Sequence, residues 1–159
     1  KEGIYIINEK QLNKKQGEYV TQYFREKVLP CLVPIMLESA PNFPYLKDKS
    51  VYLLVKLASA TKKFKYALLE LPTGEMSRFL VVPGTAHKKY IILLDDVIRY
   101  CLDDIFSLLN YKASESYTIK LTRDAELDLD NDVSKSFIEK ISKSLKKRTK
   151  GQPVRLVYD

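Results

Sequence analysis

The sequence predicts an α+β fold, with a mixed, largely antiparallel sheet of about six strands and two or three packed helices. Short β-branched or aromatic runs, each closed by turn residues, supply the strands. Apolar residues recurring at three and four supply the helices. Four of the strands also follow one another at close spacing, which argues for a meander of largely antiparallel character.

Taken in order, Gly3-Ile4-Tyr5-Ile6-Ile7 reads as a strand, and the polar stretch from Asn8 to Gln16 as a loop or short helix. From Glu18, the residues Val20, Tyr23, Phe24, Val28 and Leu29 fall near helical spacing, and Pro30 should end that helix. Pro30, Pro34, Pro41 and Pro44 punctuate an extended crossing segment, because each biases its predecessor away from helix. Val51 to Leu57 and Phe64 to Leu71 are strand candidates. Arg78 to Val82 and Lys89 to Leu94 follow, with turns expected at Pro72-Thr73-Gly74 and Pro83-Gly84. Together these four strands predict a meander. Asp95 stands where an N-cap belongs, ahead of the amphipathic series Val97, Ile98, Cys101, Leu102, Ile105, Phe106 and Leu109. Tyr117, Ile119 and Leu121 alternate with polar residues as in a half-buried strand. Val133, Phe137, Ile138, Ile141 and Leu145 predict a further helix stopped near Gly151, and Val154 to Tyr158 a closing strand. Residues 1–159 are expected to form a single domain. Because Lys1 opens the chain and both ends read as strand, that domain is expected to be an excerpt of a longer polypeptide.

Composition narrows the function classes. The 159 residues carry 27 Lys+Arg against 20 Asp+Glu, a formal net charge of +7. With 45% hydrophobic and 30% charged residues, the chain belongs with globular proteins rather than disordered ones. No apolar run approaches the roughly 18 residues that a transmembrane helix needs. Cys31 and Cys101 sit in apolar sequence without metal-ligand spacing, so neither a disulfide framework nor a zinc site is expected, and a reducing cytoplasm is.

Several features could carry chemistry. Lys143, Lys146, Lys147 and Arg148 head a basic ridge on the last helix, which suits either a solvated face or a polyanion-binding surface. Asp128-Leu129-Asp130-Asn131-Asp132 with Glu139 imitates a calcium loop, but Val133 occupies the turn position that needs Gly. No metal site is expected. His87 is the single histidine, in a polar hairpin loop beside Lys88 and Lys89, with no nucleophile at a recognisable spacing. No Gly-rich phosphate loop or RNA-recognition motif occurs, and most tyrosines are expected to face the core.

Six segments together carry a resemblance. They are Tyr23 to Pro34, Asn42-Phe43-Pro44-Tyr45-Leu46, Arg78-Phe79 with Val82-Pro83, Ile91 to Arg99 with Asp103 to Phe106, Thr122 to Leu127, and Pro153-Val154-Arg155-Leu156. In this order they resemble the middle, or head, domain of bacterial polyphosphate kinase of the histidine-phosphorylating class. The resemblance implies a parent enzyme that reversibly moves the terminal phosphate of ATP onto polyphosphate through a phosphohistidine, with magnesium. The phosphohistidine and the metal ligands of that family lie in C-terminal domains, and a helical N-terminal domain helps hold the nucleotide. No catalytic residue is therefore carried over to this chain, His87 included, and no cofactor is expected to bind to it. The implied role is an interdomain and dimer framework beside a basic polyphosphate channel, in a parent that is cytoplasmic or peripheral to the membrane. Arg78 and Arg123, with Lys88 and Lys89, become the candidate polyphosphate or interdomain contacts, since guanidinium can grip phosphate oxygens in pairs. The partners implied are the remaining domains, a second copy in the parent, and polyphosphate. Nucleic acid is not among them. The competing readings are a free-standing polyanion or nucleic-acid binder and a small histidine-dependent phosphatase.

Overall fold

A computed structural model describes residues 3–40, 42–58, 64–123 and 153–159. Strand β1 (Ile4–Ile7) is followed by a 3-10 turn at Glu9–Gln11 and by helix α1 (Lys14–Tyr23). Asn13 opens α1 with a reciprocal cap: its side chain accepts from the Gln16 N–H at 3.0 Å, and its own N–H donates to Gln16 Oε1 at 3.2 Å. The helix therefore starts earlier than its apolar spacing predicts. It also ends differently. At Phe24–Val28 the coil widens into a π turn, with the Leu29 N–H reaching the Phe24 carbonyl, and a 3-10 turn at Leu29–Cys31 follows. Pro30 has no N–H with which to continue the ladder, so the geometry changes as the proline is approached.

The proline-punctuated segment is extended only in part: it contributes one short strand, β2 (Ile35–Met36), and then a 3-10 turn at Leu37–Ser39. Then come β3 (Val51–Ala58), β4 (Phe64–Glu70), β5 (Phe79–Thr85) and β6 (Lys88–Leu93). Helices α2 (Leu94–Tyr100) and α3 (Leu102–Phe106) lead to β7 (Lys112–Arg123), which pairs with β8 (Pro153–Tyr158). The amphipathic stretch expected as one helix is thus two, broken at Cys101 with φ −110° and ψ 17°. The helix predicted around Val133 to Leu145 lies outside the described residues.

The α+β class holds, with eight strands in two sheets among the described residues where about six in one were expected. The four-strand meander is the element that divides. β3 and β4 pair antiparallel, as do β5 and β6, but β4 and β5 belong to different sheets. The Leu71 N–H closes the ladder onto Val51 O, after which the Pro72 carbonyl accepts from both Glu75 and Met76 and turns the chain away. One sheet runs β1-β6-β5, with β1 and β6 parallel; the other runs β2-β4-β3-β7-β8 and is antiparallel throughout its described pairs.

Pro83-Gly84 lies inside β5 rather than at a turn, at a register shift between Val82 and Thr85. The hairpin itself turns at Ala86-His87. β5 is an edge strand, where a missing N–H costs no ladder bond, and the Pro83 carbonyl instead accepts from buried Gln16 at 2.9 Å. One core joins the inner faces of both sheets through the helices. Ile7, Val82 and Ile92 come from the three-stranded sheet, and Leu53, Val55, Leu57 and Leu69 from the other. Val20, Phe24, Val97, Ile98 and Phe106 of the helical segments complete it, and each of these five is 0% exposed.

Candidate functional site

Among the described residues, three ion pairs converge where α2 leaves the end of β6. Leu93 is the N-cap, so Asp95 and Asp96 occupy the first helical turn rather than the cap itself. There they offset the positive end of the helix. Both are buried, at 6% and 8% exposure. Arg78, just before β5, places Nη2 3.3 Å from Asp95 Oδ2. Arg99 is one turn further along α2, with Nη1 3.7 Å from Asp96 Oδ1. Its Nη2 donates to Thr118 Oγ1 at 2.6 Å and to the Asp159 carboxylate, so this guanidinium ties the helix to β7 and to the end of β8. Burial, and then the neighbouring Asp95 and Glu9 charges, push the Asp96 carboxyl up to about 6 against the pull of Arg99. Asp159 is held below the usual carboxylate range: burial works the other way, but Arg99 and the Thr118 N–H prevail. Arg78 Nε, Asp95 Oδ1 and Arg99 Nε are buried without a hydrogen-bond partner among the described residues.

The four candidate contacts are not brought together. Arg78 is half-buried and paired with Asp95 on the three-stranded side. Arg123 sits on the five-stranded sheet, donating from Nε to Leu46 O at 3.0 Å, with its guanidinium 4.1 Å from the centre of the Tyr45 ring. Its backbone N–H donates to Asp48 Oδ1 at 2.9 Å. Lys88 and Lys89 are exposed beside the hairpin turn, with Lys88 Nζ 5.8 Å from the centre of the Tyr5 ring. His87 is exposed in the turn itself. The basic ridge of Lys143, Lys146, Lys147 and Arg148 lies outside the described residues, as does the calcium-like run from Asp128 to Glu139.

Two clefts flank the five-stranded sheet. One, of about 430 Å³, lies between α2–α3 and β7 and takes in Glu9, Lys10, Arg99, Asp103 and Glu115. The other, of about 500 Å³, is apolar, with Phe43, Leu54, Ile119, Leu121 and Leu156 beside Arg123. Seven tyrosines (5, 19, 45, 66, 100, 117 and 158) are at least 40% exposed, so the expectation that most face the core fails.

Among the described residues, no group of three or more His, Cys, Asp and Glu is placed to hold a metal ion. Cys101 and Cys31 are free thiols. Burial raises Cys101 to about 11, and Cys31 is raised chiefly by its hydrogen bond to Glu75. Neither has the lowered pKa of a nucleophilic cysteine. What the ionic array can do is hold elements in place. It joins the start of β5, the first turn of α2 and the β7–β8 edge. The sequence reading missed Asp96 and Arg99, although their i,i+3 spacing on an amphipathic helix was a usable signal.

Comparison with known proteins places this architecture. The family model described as polyphosphate kinase middle domain matches residues 15–159. The polyphosphate kinase of Vibrio vulnificus (strain YJ016) is 42% identical over 160 residues, which covers 98% of this chain and 23% of that protein. The polyphosphate kinase of Escherichia coli (strain K12) is 40% identical over 159 residues, with the same two shares covered. The crystal structure of polyphosphate kinase from Porphyromonas gingivalis superposes with a TM-score of 0.67 at 29% identity, over 74% of this chain and 20% of that one. The chain spans about a quarter of the length of the curated relatives it matches.

Proposed function

Since the chain belongs to the polyphosphate kinase family and matches its middle domain, we propose that it is the head domain of an enzyme that reversibly transfers the terminal phosphate of ATP to polyphosphate. Its own part in that reaction is positional. The phosphotransfer groups, and the sites for ATP and magnesium, lie in the other domains of the parent polypeptide. This domain serves as an interdomain and dimer framework and lends basic side chains to the polyphosphate channel. The observation that carries the reading is the match over residues 15–159 at about a quarter of the relatives' length.

The chemistry of the described residues supports the division of labour. Arg78 and Arg99 are engaged with carboxylates at 3.3 Å and 3.7 Å, an arrangement that fixes elements rather than meets a mobile substrate. Lys88 and Lys89 are exposed and can approach a polyanion. Phosphate contacts of this kind weaken steeply as salt rises.

The deciding assay is conversion of ATP to polyphosphate with magnesium, run with this chain alone and with the full-length enzyme. The expected result is turnover from the full-length enzyme and none from residues 1–159. Turnover by the fragment would refute the positional role. A second test is the full-length Lys88→Ala/Lys89→Ala variant. Both side chains are exposed, so stability should change by no more than about 0.5 kcal/mol. The KM for polyphosphate should rise, and should depend less on salt than that of the parent. An unchanged KM would remove these lysines from the channel.

A further inference from the structure

The outer face of the three-stranded sheet is apolar except at one end, where Lys89 stands. Pairing register places Ile6, Ile91 and Val81 in one row across β1, β6 and β5. Leu93 and Phe79 form the next row at one end, and Ile4 and Lys89 the row at the other. The alternate residues Ile7, Ile92 and Val82 point into the core, so these rows point away from it. Ile4, Ile6, Phe79 and Val81 are 54%, 68%, 59% and 60% exposed. Single exposed apolar residues are ordinary; a sheet face made of them is not.

We propose that this face is an interdomain docking surface, covered in the full-length enzyme by an apolar surface from another domain of the same polypeptide. The proposal rests on the reading of the chain as one domain of a longer kinase and names the surface that the framework role uses. Area selects the occupant. The face offers on the order of 450 Å² of apolar surface, within the range of the largest patch on a typical monomer, which is often functional. A stable contact between separate molecules needs about 800 Å² from each partner, which this face does not supply. Contacts between domains of one chain run from roughly 600 to 1,500 Å² in total, and this face with an equal area from its partner, about 900 Å² together, lies in that range. Covalent linkage supplies the effective concentration that the small area lacks. Lys89, the one charged group in these rows, stands at their end beside the hairpin turn, so the covering surface should be apolar and leave that end open.

The test is thiol labelling at this face. Val81→Cys is a conservative change at an exposed site, and its reaction with a maleimide can be followed by mass spectrometry of the β5 peptide, in residues 1–159 and in the full-length enzyme. The expected result is labelling about tenfold or more slower in the full-length enzyme, as for a face covered at least nine-tenths of the time. Full-length Val81→Asp should restore fast labelling of a second reporter, Phe79→Cys. Equal rates in the two proteins would overturn the proposal. So would slow labelling of residues 1–159 that depends on their concentration, since the occupant would then be a second copy. The ATP-to-polyphosphate assay on the same full-length sample separates the failures: an active enzyme with an openly labelled face refutes the docking surface alone, whereas an inactive one refutes the kinase reading.

Discussion

Asp96 and Arg99 carry the clearest residue-scale consequences. The folded protein raises the Asp96 pKa from 3.8 to about 6, so its contribution to stability is fully present below pH 3.8 and is lost as pH rises through about 6. The difference is on the order of 3 kcal/mol between the two limits. Asp159 runs the opposite way: its depressed pKa contributes stability above its unfolded value that is lost as pH falls. Asp96→Asn isolates the first term. Its urea midpoint should depend less on pH between 4 and 7 than that of the parent chain, and it should gain relative stability at pH 7. An unaltered pH profile would mean that Asp96 does not titrate in this window. Arg99→Met should cost about 3 kcal/mol in the same experiment at pH 7, because it leaves Asp96 and Asp159 without their shared cation. Arg99→Lys should recover only part of that loss, since one ammonium cannot span Thr118, Asp159 and Asp96 as a guanidinium fork does.

At the scale of elements, two glycines separate backbone constraint from side-chain crowding. A Cβ on Gly84 would overlap the Lys88 carbonyl oxygen across the β5–β6 hairpin, and backbone there cannot yield without breaking the ladder. Gly84→Ala should therefore cost about 2–3 kcal/mol by urea denaturation. A Cβ on Gly17 would meet the Tyr100 hydroxyl, the far end of a side chain that is 43% exposed and can swing away. In α1 the alanine also gains up to about 1 kcal/mol of helix propensity, so Gly17→Ala should be close to neutral. Equal losses from the two substitutions would contradict this distinction. The helix caps illustrate how far local chemistry can be read without a fold. Asn13 and Gln16 form a recognisable start signal in the sequence, yet apolar spacing alone placed the helix later. The second amphipathic stretch was legible as helix, but its break at Cys101 was not. Both halves present apolar residues to the same core, and periodicity cannot register one turn of altered geometry.

For the whole molecule, both sheets turn an inner face to one shared core, and both also carry apolar residues on their outer faces. Truncating the center of that core should be felt on both sides. Phe106→Ala should lose about 3–5 kcal/mol, in a single cooperative transition when monitored by far-ultraviolet circular dichroism and tyrosine fluorescence. Separate transitions for the two probes would show that the sheets unfold independently. The outer faces have a different meaning. In a free-standing domain such faces would be a liability, whereas under the docking proposal they are surfaces for neighbouring domains.

The α+β class, the existence of most strands, the two helical stretches and the ordered segments that mark the family all follow from the sequence alone, because periodicity, turn chemistry and motif order are local properties of the chain. Tertiary structure alone decides that Pro72 sends the chain into a second sheet, that Arg78 meets Asp95 and that Arg99 reaches Asp159. It also turns Ile6, Ile91 and Val81 outward in one row. Each of these depends on which distant backbone completes a ladder or shares a burial site, and alternating apolar residues specify two faces without specifying what each face will meet.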